Sequence, residues 1–500
     1  MYSPAEERFN RRRRTVGLFL APAVMAALWL APLPLDGPAH RMAAIMGLVV
    51  VLWVSEALPM AVTAILGPVL AVVLRVADAR AALASFADPI IFLFIGSFIL
   101  AEAMFVHGVD RRIAYTALSW KFVGHSAPRL LLVYSAVATG LSMWISNTAT
   151  TAMMFPIGLA LVSHLMQSGP KDEASRTAVR RFALGLMLTT SFAASVGGMA
   201  TPVGTPPNLI GIGMLERITG TRISFFTWMA IGVPLVLVLF TVLMVLFTVT
   251  TTRGVRMLEG GAELVRAEKR KLGPLSAAER NVLLAFGVTV LLWTLPGLLA
   301  LVGLDASPFS REYQRAVPEG VAAMIGALLL FLLPVDWRVR RFTLTWDEAV
   351  RIDWGIVLLY GGGLALGALA FQTGLAEALG KGITAWLPSK TSLTLTVIFT
   401  GSAILLSEAT SNTASANMIV PVAIAVAQAA GVRAVEPALG ATLGASMGFM
   451  MPISTAPNAI VYSSGFIPIT AMMRFGIVLD VVAFVAIVTL VMLLGPVLIP

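Results

Sequence analysis

Two short polar motifs occur twice in this chain, in the same order, within long apolar segments. The first motif is Ser-Asn-Thr-Ala, at 146–149 and again at 411–414, and a Met and then a Pro follow both copies at the same distance. The second motif places a Pro directly before an Asn, at Asn208 and at Asn458. Hydroxyl and amide groups can either donate or accept hydrogen bonds. With backbone groups freed at a helix break, they could bind an anion and coordinate a hard cation such as Na⁺.

The recurrence of both motifs in one order indicates an internal repeat. Asn147 and Asn208 are 61 positions apart, whereas Asn412 and Asn458 are 46 apart, and a charged loop at about 167–181 accounts for the 15 extra positions. We count five spans between the two Ser-Asn-Thr segments, and an odd number inverts the orientation of the second copy. The sequence therefore predicts an inverted-topology repeat, as found in many secondary transporters.

The composition places these motifs in a membrane protein. Of the 500 residues, 58% are hydrophobic and 12% are charged, and the mean hydropathy is +0.88, whereas soluble domains carry about 25% charged residues. The net charge of +9 is explained by Lys and Arg in cytoplasmic loops, so we expect no nucleic-acid partner. The chain has no Cys, which excludes disulfides, thiolate metal sites and Cys nucleophiles.

Apolar runs and basic clusters together predict the path of the chain. The run pairs 130–145 with 149–166 and 393–406 with 414–430 are short and interrupted by polar residues, so we expect a re-entrant hairpin at each. With Arg11–Arg14 in the cytoplasm, eleven spans and these two hairpins place every dense Lys/Arg cluster on the cytoplasmic side. We expect an all-α, multi-pass inner-membrane protein with a cytoplasmic N-terminus and a C-terminus outside. The later basic clusters lie at 111–129, 171–181, 253–280 and 338–351.

The same path divides the chain into four segments. Residues 1–40 form the N-terminal cytoplasmic segment and first span, and 41–250 form the first repeat, with scaffold spans, the first hairpin and a broken helix. Residues 251–318 form a charged cytoplasmic linker, a connecting span and an outer loop, and 319–500 form the second repeat. The stretches 251–280 and 335–353 are too charged to span, and we expect interfacial or cytoplasmic helices there.

Each Ser-Asn-Thr segment falls where a hairpin is expected to turn. The returning helix then offers free N–H groups and the positive end of its dipole to an anion. Pro206, Pro207 and Pro457 break a span, which frees carbonyl oxygens opposite the hairpin tip. Neither motif contains Lys or Arg, so helix ends, hydroxyls and bound cations would hold the anion. This favours cation-coupled uptake over simple anion exchange.

The paired motifs resemble those of the divalent-anion/sodium symporter family, which carries dicarboxylates, citrate or sulfate. The segments Ser55–Pro59 and Gly96–Ala101 are similar to that family as well, and the likeness extends from about residue 40 to the end. The resemblance implies a homodimer with a scaffold domain, an elevator-like transport domain and two or more Na⁺ ions. The chain departs from the family pattern at Ala456, where the family usually has Pro.

The resemblance also implies site residues, carried over motif by motif. One Na⁺ site would use Ser142, Ser146, Asn147 and Gly204, and the other Ser407, Thr410, Asn412 and Ser454. The substrate contacts would be Ser146, Asn147, Thr148, Thr205, Ser411, Asn412, Thr413 and Thr455.

These observations predict a secondary active transporter for sodium-coupled uptake of a divalent organic anion such as succinate, malate or fumarate. A sulfate or citrate symporter and a dicarboxylate exchanger are alternatives. Glu408 lies three positions before the second Ser-Asn-Thr and leaves a proton-coupled carrier open, although we favour a role in bracing the hairpin. An enzyme is not expected, because no HExxH or GxGD motif occurs. An inverted repeat of broken helices favours alternating access over an ion channel.

Overall fold

The computed structural model describes residues 4–123, 126–168, 172–255, 261–387 and 389–499. Lys171 of the basic cluster at 171–181 and positions 256–260 of the charged linker lie outside the described residues. The described chain is mostly helical, in agreement with the all-α fold class expected from the sequence.

The first half of the chain is a series of helices with a short 3₁₀ turn, Ala84–Ala87. The helices are α1 (Pro4–Leu30), α2 (Gly37–Ser55), α3 (Met60–Val73), α4 (Ala79–Leu83), α5 (Pro89–Val106), α6 (Val109–Leu118), α7 (Ala127–Ser142), α8 (Asn147–Ser168), α9 (Glu173–Gly197), α10 (Pro206–Thr219) and α11 (Phe225–Thr251).

The second half contains further helices and a small β-ribbon. The elements are α12 (Gly261–Lys271), α13 (Ala277–Leu301), α14 (Pro308–Ala316), α15 (Glu319–Leu332), β1 (Pro334–Asp336), β2 (Arg341–Phe342), α16 (Trp346–Ala349), α17 (Trp354–Gln372), α18 (Leu375–Trp386), α19 (Ser392–Ala409), α20 (Asn412–Ala429), α21 (Val435–Gly444), α22 (Ala456–Tyr462) and α23 (Ile469–Leu498).

Within the described residues, nine helical stretches are long and apolar enough to cross a membrane. The number rises to ten if α14 and α15, which meet at 66°, form one span. Two of these nine stretches, α8 and α19, are arms of the expected hairpins. The helix pairs α9–α10 and α21–α22, each separated by an interruption, are not among the nine. The structure thus describes a multi-pass membrane protein, and the count of eleven spans plus two hairpins remains a prediction. The nine stretches are Glu7–Leu30, Gly37–Ser55, Ala79–Val106, Asn147–Gln167, Phe225–Thr251, Ala277–Leu301, Trp354–Gln372, Ser392–Ala409 and Ile469–Leu498.

Both Ser-Asn-Thr segments lie at the start of a returning helix, as the sequence predicts. α7 ends at Ser142 and α8 begins at Asn147, while α19 ends at Ala409 and α20 begins at Asn412. In each case the Ser before the Asn accepts a backbone hydrogen bond from the first turn, at 3.3 Å for Ser146 and 3.2 Å for Ser411. A Ser oxygen at this position satisfies an amide that has no partner within its own helix.

The two Pro-Asn motifs each follow an interruption in a helix. α9 stops at Gly197 and α10 starts at Pro206, and α21 stops at Gly444 and α22 starts at Ala456. α9 packs against α7, and a Cβ at Gly197 would lie 2.2 Å from the carbonyl oxygen of Thr139. Only glycine therefore allows this close approach of the two helix backbones.

The charged stretch 335–353 differs from the expected helix. β1 and β2 form an antiparallel ribbon, followed by the single turn of α16. The turn between the strands is stabilised locally, because Asp336 accepts a hydrogen bond of 2.8 Å from the amide of Arg338 and Arg340 adopts a positive φ of 52°. Asn281 fixes the ribbon to α13 by donating to the carbonyl of Pro334 at 3.0 Å. The other charged stretch, 251–280, contains α12, as expected.

The predicted topology can be tested by labelling single-Cys variants, because the native chain has no Cys. Arg266 in α12 and Trp386 at the end of α18 are both exposed. The basic clusters place Arg266 in the cytoplasm and Trp386 outside. In intact cells, an impermeant thiol reagent should label Trp386→Cys and leave Arg266→Cys unlabelled until the cells are lysed. The reverse pattern would invalidate the orientation, and labelling of both from outside would invalidate the span count.

Candidate functional site

The first hairpin tip touches the interruption between α9 and α10. The Ser142 hydroxyl donates to Oδ1 of Asn147 at 2.7 Å. A Cβ at Gly198 would lie 2.2 Å from the same Oδ1, and a Cβ at Gly204 would lie 2.9 Å from the carbonyl oxygen of Ser142. The structure therefore brings together Ser142, Asn147 and Gly204, three of the residues predicted for one Na⁺ site.

The second tip has the same arrangement. The Ser407 hydroxyl donates to Oδ1 of Asn412 at 2.8 Å, and it also lies 2.8 Å from the carbonyl oxygen of Ala445. A Cβ at Gly448 would lie 3.3 Å from Asn412 Oδ1, from Ser407 Oγ and from Ser454 Cβ. Three predicted ligands, Ser407, Asn412 and Ser454, thus converge around Gly448.

Thr410 is the predicted ligand that stands apart from this group. Its hydroxyl donates to the carbonyl of Leu406 at 3.0 Å and lies 2.7 Å from the hydroxyl of Ser415. These bonds hold the Thr410 side chain within the hairpin, so its hydroxyl is already occupied in this conformation.

The two Pro-Asn motifs hold the interrupted segments in shape. Nδ2 of Asn208 donates to the carbonyls ten and seven positions earlier, Gly198 at 2.9 Å and Thr201 at 2.8 Å. Nδ2 of Asn458 donates at the same two offsets, to Gly448 at 2.8 Å and to Met451 at 3.0 Å. Both Asn residues are fully buried. Each amide thus satisfies two carbonyls that an unbroken helix would have satisfied itself.

Thr205 and Thr455 cap the helices that follow the interruptions. Their backbone angles are nearly equal, φ −147° and ψ 142° for Thr205 against φ −141° and ψ 150° for Thr455. Thr455 also accepts a 3.2 Å hydrogen bond from the amide of Asn458. The second cap therefore has the backbone geometry of the first, although Ala456 stands where the first copy has Pro206.

The remaining predicted substrate contacts lie at the accessible side of the two tips. Thr148 is exposed, and Ser146, Ser411 and Thr413 are partly buried. Each of these side chains belongs to the first turn of α8 or α20, or directly precedes it, where backbone N–H groups are free to meet an anion.

Contacts between the halves join the two groups into one body. The hydroxyl of Ser191 in α9 donates to Oδ1 of Asn458 in α22 at 2.5 Å. α10 and α21 also meet closely, since a Cβ at Gly211 would lie 2.0 Å from Oγ1 of Thr442. α8 packs against α22 and α20 packs against α10. Each returning hairpin helix therefore contacts the broken helix of the other half.

Sequence reasoning missed Gly448 and Ser191. Gly448 could have been found from the repeat, because it precedes Asn458 by the same ten positions that separate Gly198 from Asn208. Ser191 carries no local signal, since its partner lies 267 positions away.

The oxygens around the two Asn side chains are mainly neutral, and at the second group the Glu408 carboxylate also accepts a hydrogen bond from Ser454 at 2.6 Å. Hydroxyls, amide oxygens and carbonyls surround Asn147 and Asn412, and no group of three or more His, Cys, Asp or Glu side chains is found among the described residues. Such donors suit hard cations and not thiophilic or imidazole-binding metals. Near the second group, the buried Ser446 hydroxyl has no hydrogen-bond partner in the described part of the chain, and the Ser446 carbonyl oxygen accepts from Asn412 Nδ2 at 3.4 Å.

Comparison with known proteins identifies the family. Residues 12–500 match the family described as the sodium:sulfate symporter transmembrane region. The chain belongs to this family. It is 34% identical over 486 residues to the sodium-dependent dicarboxylate transporter SdcS of Staphylococcus saprophyticus, covering 96% of this chain and 91% of that protein. It is 32% identical over 489 residues to SdcS of Staphylococcus aureus, with the same coverage. These family members are transporters and not enzymes, in agreement with the sequence-based expectation.

Two solved structures share the fold. The YdaH transporter of Alcanivorax borkumensis aligns with a TM-score of 0.54 at 13% identity. The alignment covers 84% of the present chain and 88% of the YdaH chain. MtrF of Neisseria gonorrhoeae aligns over 93% and 96%, with a TM-score of 0.51 at 10% identity. Family membership and the nine membrane-competent stretches of the described residues together indicate a multi-pass protein of the plasma membrane.

We predict that Asn208→Ala destabilises the protein, because two buried carbonyls lose their hydrogen-bond donor. Each unsatisfied carbonyl lowers the free energy of unfolding by about 1–3 kcal/mol. Asn208→Asp is the matched variant, since a carboxylate keeps the size of the side chain but cannot donate. Both variants should unfold at lower temperature than the native protein in the same detergent, and Asn458→Ala should behave alike. A native melting temperature for Asn208→Ala would show that the amide does not hold the interrupted helix.

Proposed function

We propose that this protein is a symporter that couples Na⁺ to the uptake of a divalent organic anion such as succinate, malate or fumarate. The observation that carries the proposal is the pair of Ser–Asn contacts, each of which closes a hairpin tip whose Asn side chain lies against an interrupted helix. The similarity to the Staphylococcus sodium-dependent dicarboxylate transporters supports the same assignment.

Two sodium ions bind at the two tips in this proposal. The first ion uses oxygens of Ser142, Ser146, Asn147 and Gly204, and the second uses those of Ser407, Thr410, Asn412 and Ser454. Thr410 contributes through its backbone, because its hydroxyl is occupied by Leu406 and Ser415. Hydroxyl, amide and carbonyl oxygens are suitable ligands for a hard cation.

The anion binds between the tips, with its carboxylates at the N-termini of α8 and α20. Its contacts are the side chains of Ser146, Asn147, Thr148, Thr205, Ser411, Asn412, Thr413 and Thr455. Free N–H groups and the helix dipoles stabilise negative charge there. Because the motifs contain no Lys or Arg, the sodium ions supply the positive charge that a dianion requires within the membrane.

Transport follows an elevator-type mechanism in a homodimer in this proposal. The two halves form an inverted repeat, and the hairpins move with the broken helices as the transport domain. Contacts across the halves, such as Ser191 with Asn458, support movement of this domain as one body. The Na⁺ and anion sites both lie within it, so they would cross the membrane together.

The coupling is tested by uptake of labelled succinate into proteoliposomes that contain the purified protein. We expect concentrative uptake under an inward Na⁺ gradient and none when choline replaces Na⁺. Unlabelled malate and fumarate should compete, whereas competition by citrate or sulfate alone would identify the alternative substrates. Uptake that requires succinate inside the vesicles and ignores the Na⁺ gradient would identify an exchanger and refute the proposal.

We further predict that Asn147→Ala and Asn412→Ala each abolish sodium-coupled uptake while protein remains in the membrane. Each variant removes an amide oxygen from a proposed Na⁺ site, which weakens the binding of the ion and, with it, the binding of the anion. Asn281→Ala is the control, because Asn281 binds the β-ribbon and lies outside the site. Uptake by either tip variant at the rate of the control would show that its tip binds no coupling ion.

A further inference from the structure

Two acidic side chains meet beside the second hairpin tip. Glu408 lies near the end of α19, and Asp480 lies within α23, a helix apolar enough to cross the membrane. Glu408 is 8% exposed and Asp480 is 5% exposed. Acidic side chains at membrane depth are costly unless something compensates their charge.

Close packing of α23 on the interrupted helix brings the two carboxyls together. A Cβ at Gly476 would lie 2.6 Å from the backbone of Phe449 and 2.7 Å from that of Met450. One helical turn beyond Gly476, Asp480 faces the carboxyl of Glu408. Glu408 is fixed from the other side, because Oε1 accepts from the amide of Met450 at 2.8 Å.

The hydrogen bonds at this pair are distributed unequally. Oε2 of Glu408 accepts from the hydroxyl of Ser454 at 2.6 Å, so both oxygens of Glu408 have donors. Both oxygens of Asp480 are buried and have no N–H or hydroxyl donor among the described residues, and the side chain lies within hydrogen-bonding reach of the Glu408 carboxyl. No Lys, Arg or His of the described chain forms an ion pair with either acid. The negative charge of the pair is therefore not compensated by protein.

The first half of the chain lacks this pair at matching positions. Gly232 in α11 contacts Met199 and Ala200 as Gly476 contacts the second interruption, and Val236 lies one turn beyond it. Met143 precedes Asn147 by the same offset that separates Glu408 from Asn412. Apolar residues thus occupy both positions in the first half, and the helix packing does not require acids there.

We propose that Glu408 and Asp480 bind a further Na⁺ ion, next to the ion at the second tip. This inference rests on the proposed sodium-coupled function. A shared proton would occupy one oxygen of Asp480 and leave the other without a partner, whereas a cation contacts both. Asp480, Glu408 and Ser454 together present five side-chain oxygens from three elements, which suits a hard cation. Ser454 belongs to the second tip group as well, so occupancy of the two ions is coupled.

The test is to count the ²²Na⁺ ions bound per chain by equilibrium dialysis of the purified protein at saturating Na⁺. Asp480→Asn keeps the shape of the side chain and removes its charge, and we expect it to bind one Na⁺ fewer than the native protein. Glu377→Gln is the control for loss of an acid, because Glu377 is exposed on α18 and pairs with Lys381. It should bind the native number of ions. Uptake should also depend less steeply on the Na⁺ concentration in Asp480→Asn, whereas the dependence should be unchanged in Glu377→Gln.

A second variant guards against misfolding. Glu408→Met combined with Asp480→Val installs the residues of the first half, and replacing a buried charged pair with apolar residues is often tolerated. It should also bind one ion fewer. An unchanged number of bound Na⁺ ions in both variants would overturn the inference. If that number is unchanged but uptake no longer depends on pH, the pair binds a proton instead. Native protein that binds no Na⁺ would instead refute the proposed function.

Discussion

A helix that stops inside a membrane leaves backbone groups that water cannot reach, and protein or ligand must satisfy them. In the described chain, α9 stops at Gly197 and α21 stops at Gly444, and the residues that follow each helix are largely buried. One buried Asn in each half supplies donors for two of the exposed carbonyls. The hairpin tips cover the same interruptions through Asn147 and Asn412. Hydroxyl, amide and carbonyl groups meet at these two tips, and this is why the ion and anion sites are proposed there.

The absence of Lys and Arg from the tips determines how charge is managed. Helix N-termini attract the anion, but a dianion in a low-dielectric region needs full compensating charges. In the proposed mechanism, sodium ions at the tip oxygens provide these charges and are released on the inner side, so that the gradient of Na⁺ drives the anion. The second half adds Glu408 and Asp480, whose negative charge favours a further cation close to the second tip. The two Pro-Asn segments therefore have matching hydrogen bonds but differ in the acids beside them.

The sequence alone allowed us to predict those parts of the structure that depend on interactions between residues close together in the chain. The Ser-Asn-Thr segments and the Pro-Asn motifs lie at helix starts because capping and proline act within a few residues. The β-ribbon at Pro334–Phe342 was missed, since its charged residues indicated only that the stretch does not span. The Ser191–Asn458 contact and the pairing of Asp480 with Glu408 depend on helix packing between distant segments. No local pattern could have indicated them, although the repeat itself could have drawn attention to Gly448.

The binding of substrate and sodium between the two tips is tested most directly by cryo-electron microscopy of the protein in nanodiscs. Maps would be compared in Na⁺ with succinate and in choline without it. The account predicts density for the dianion between the tips at Thr148 and Thr413, and compact density beside Asn147 and Asn412 that disappears in choline. Dianion density elsewhere, for example in the cavity lined by Arg217, Arg222, Arg311 and Arg315, with none between the tips, would contradict it.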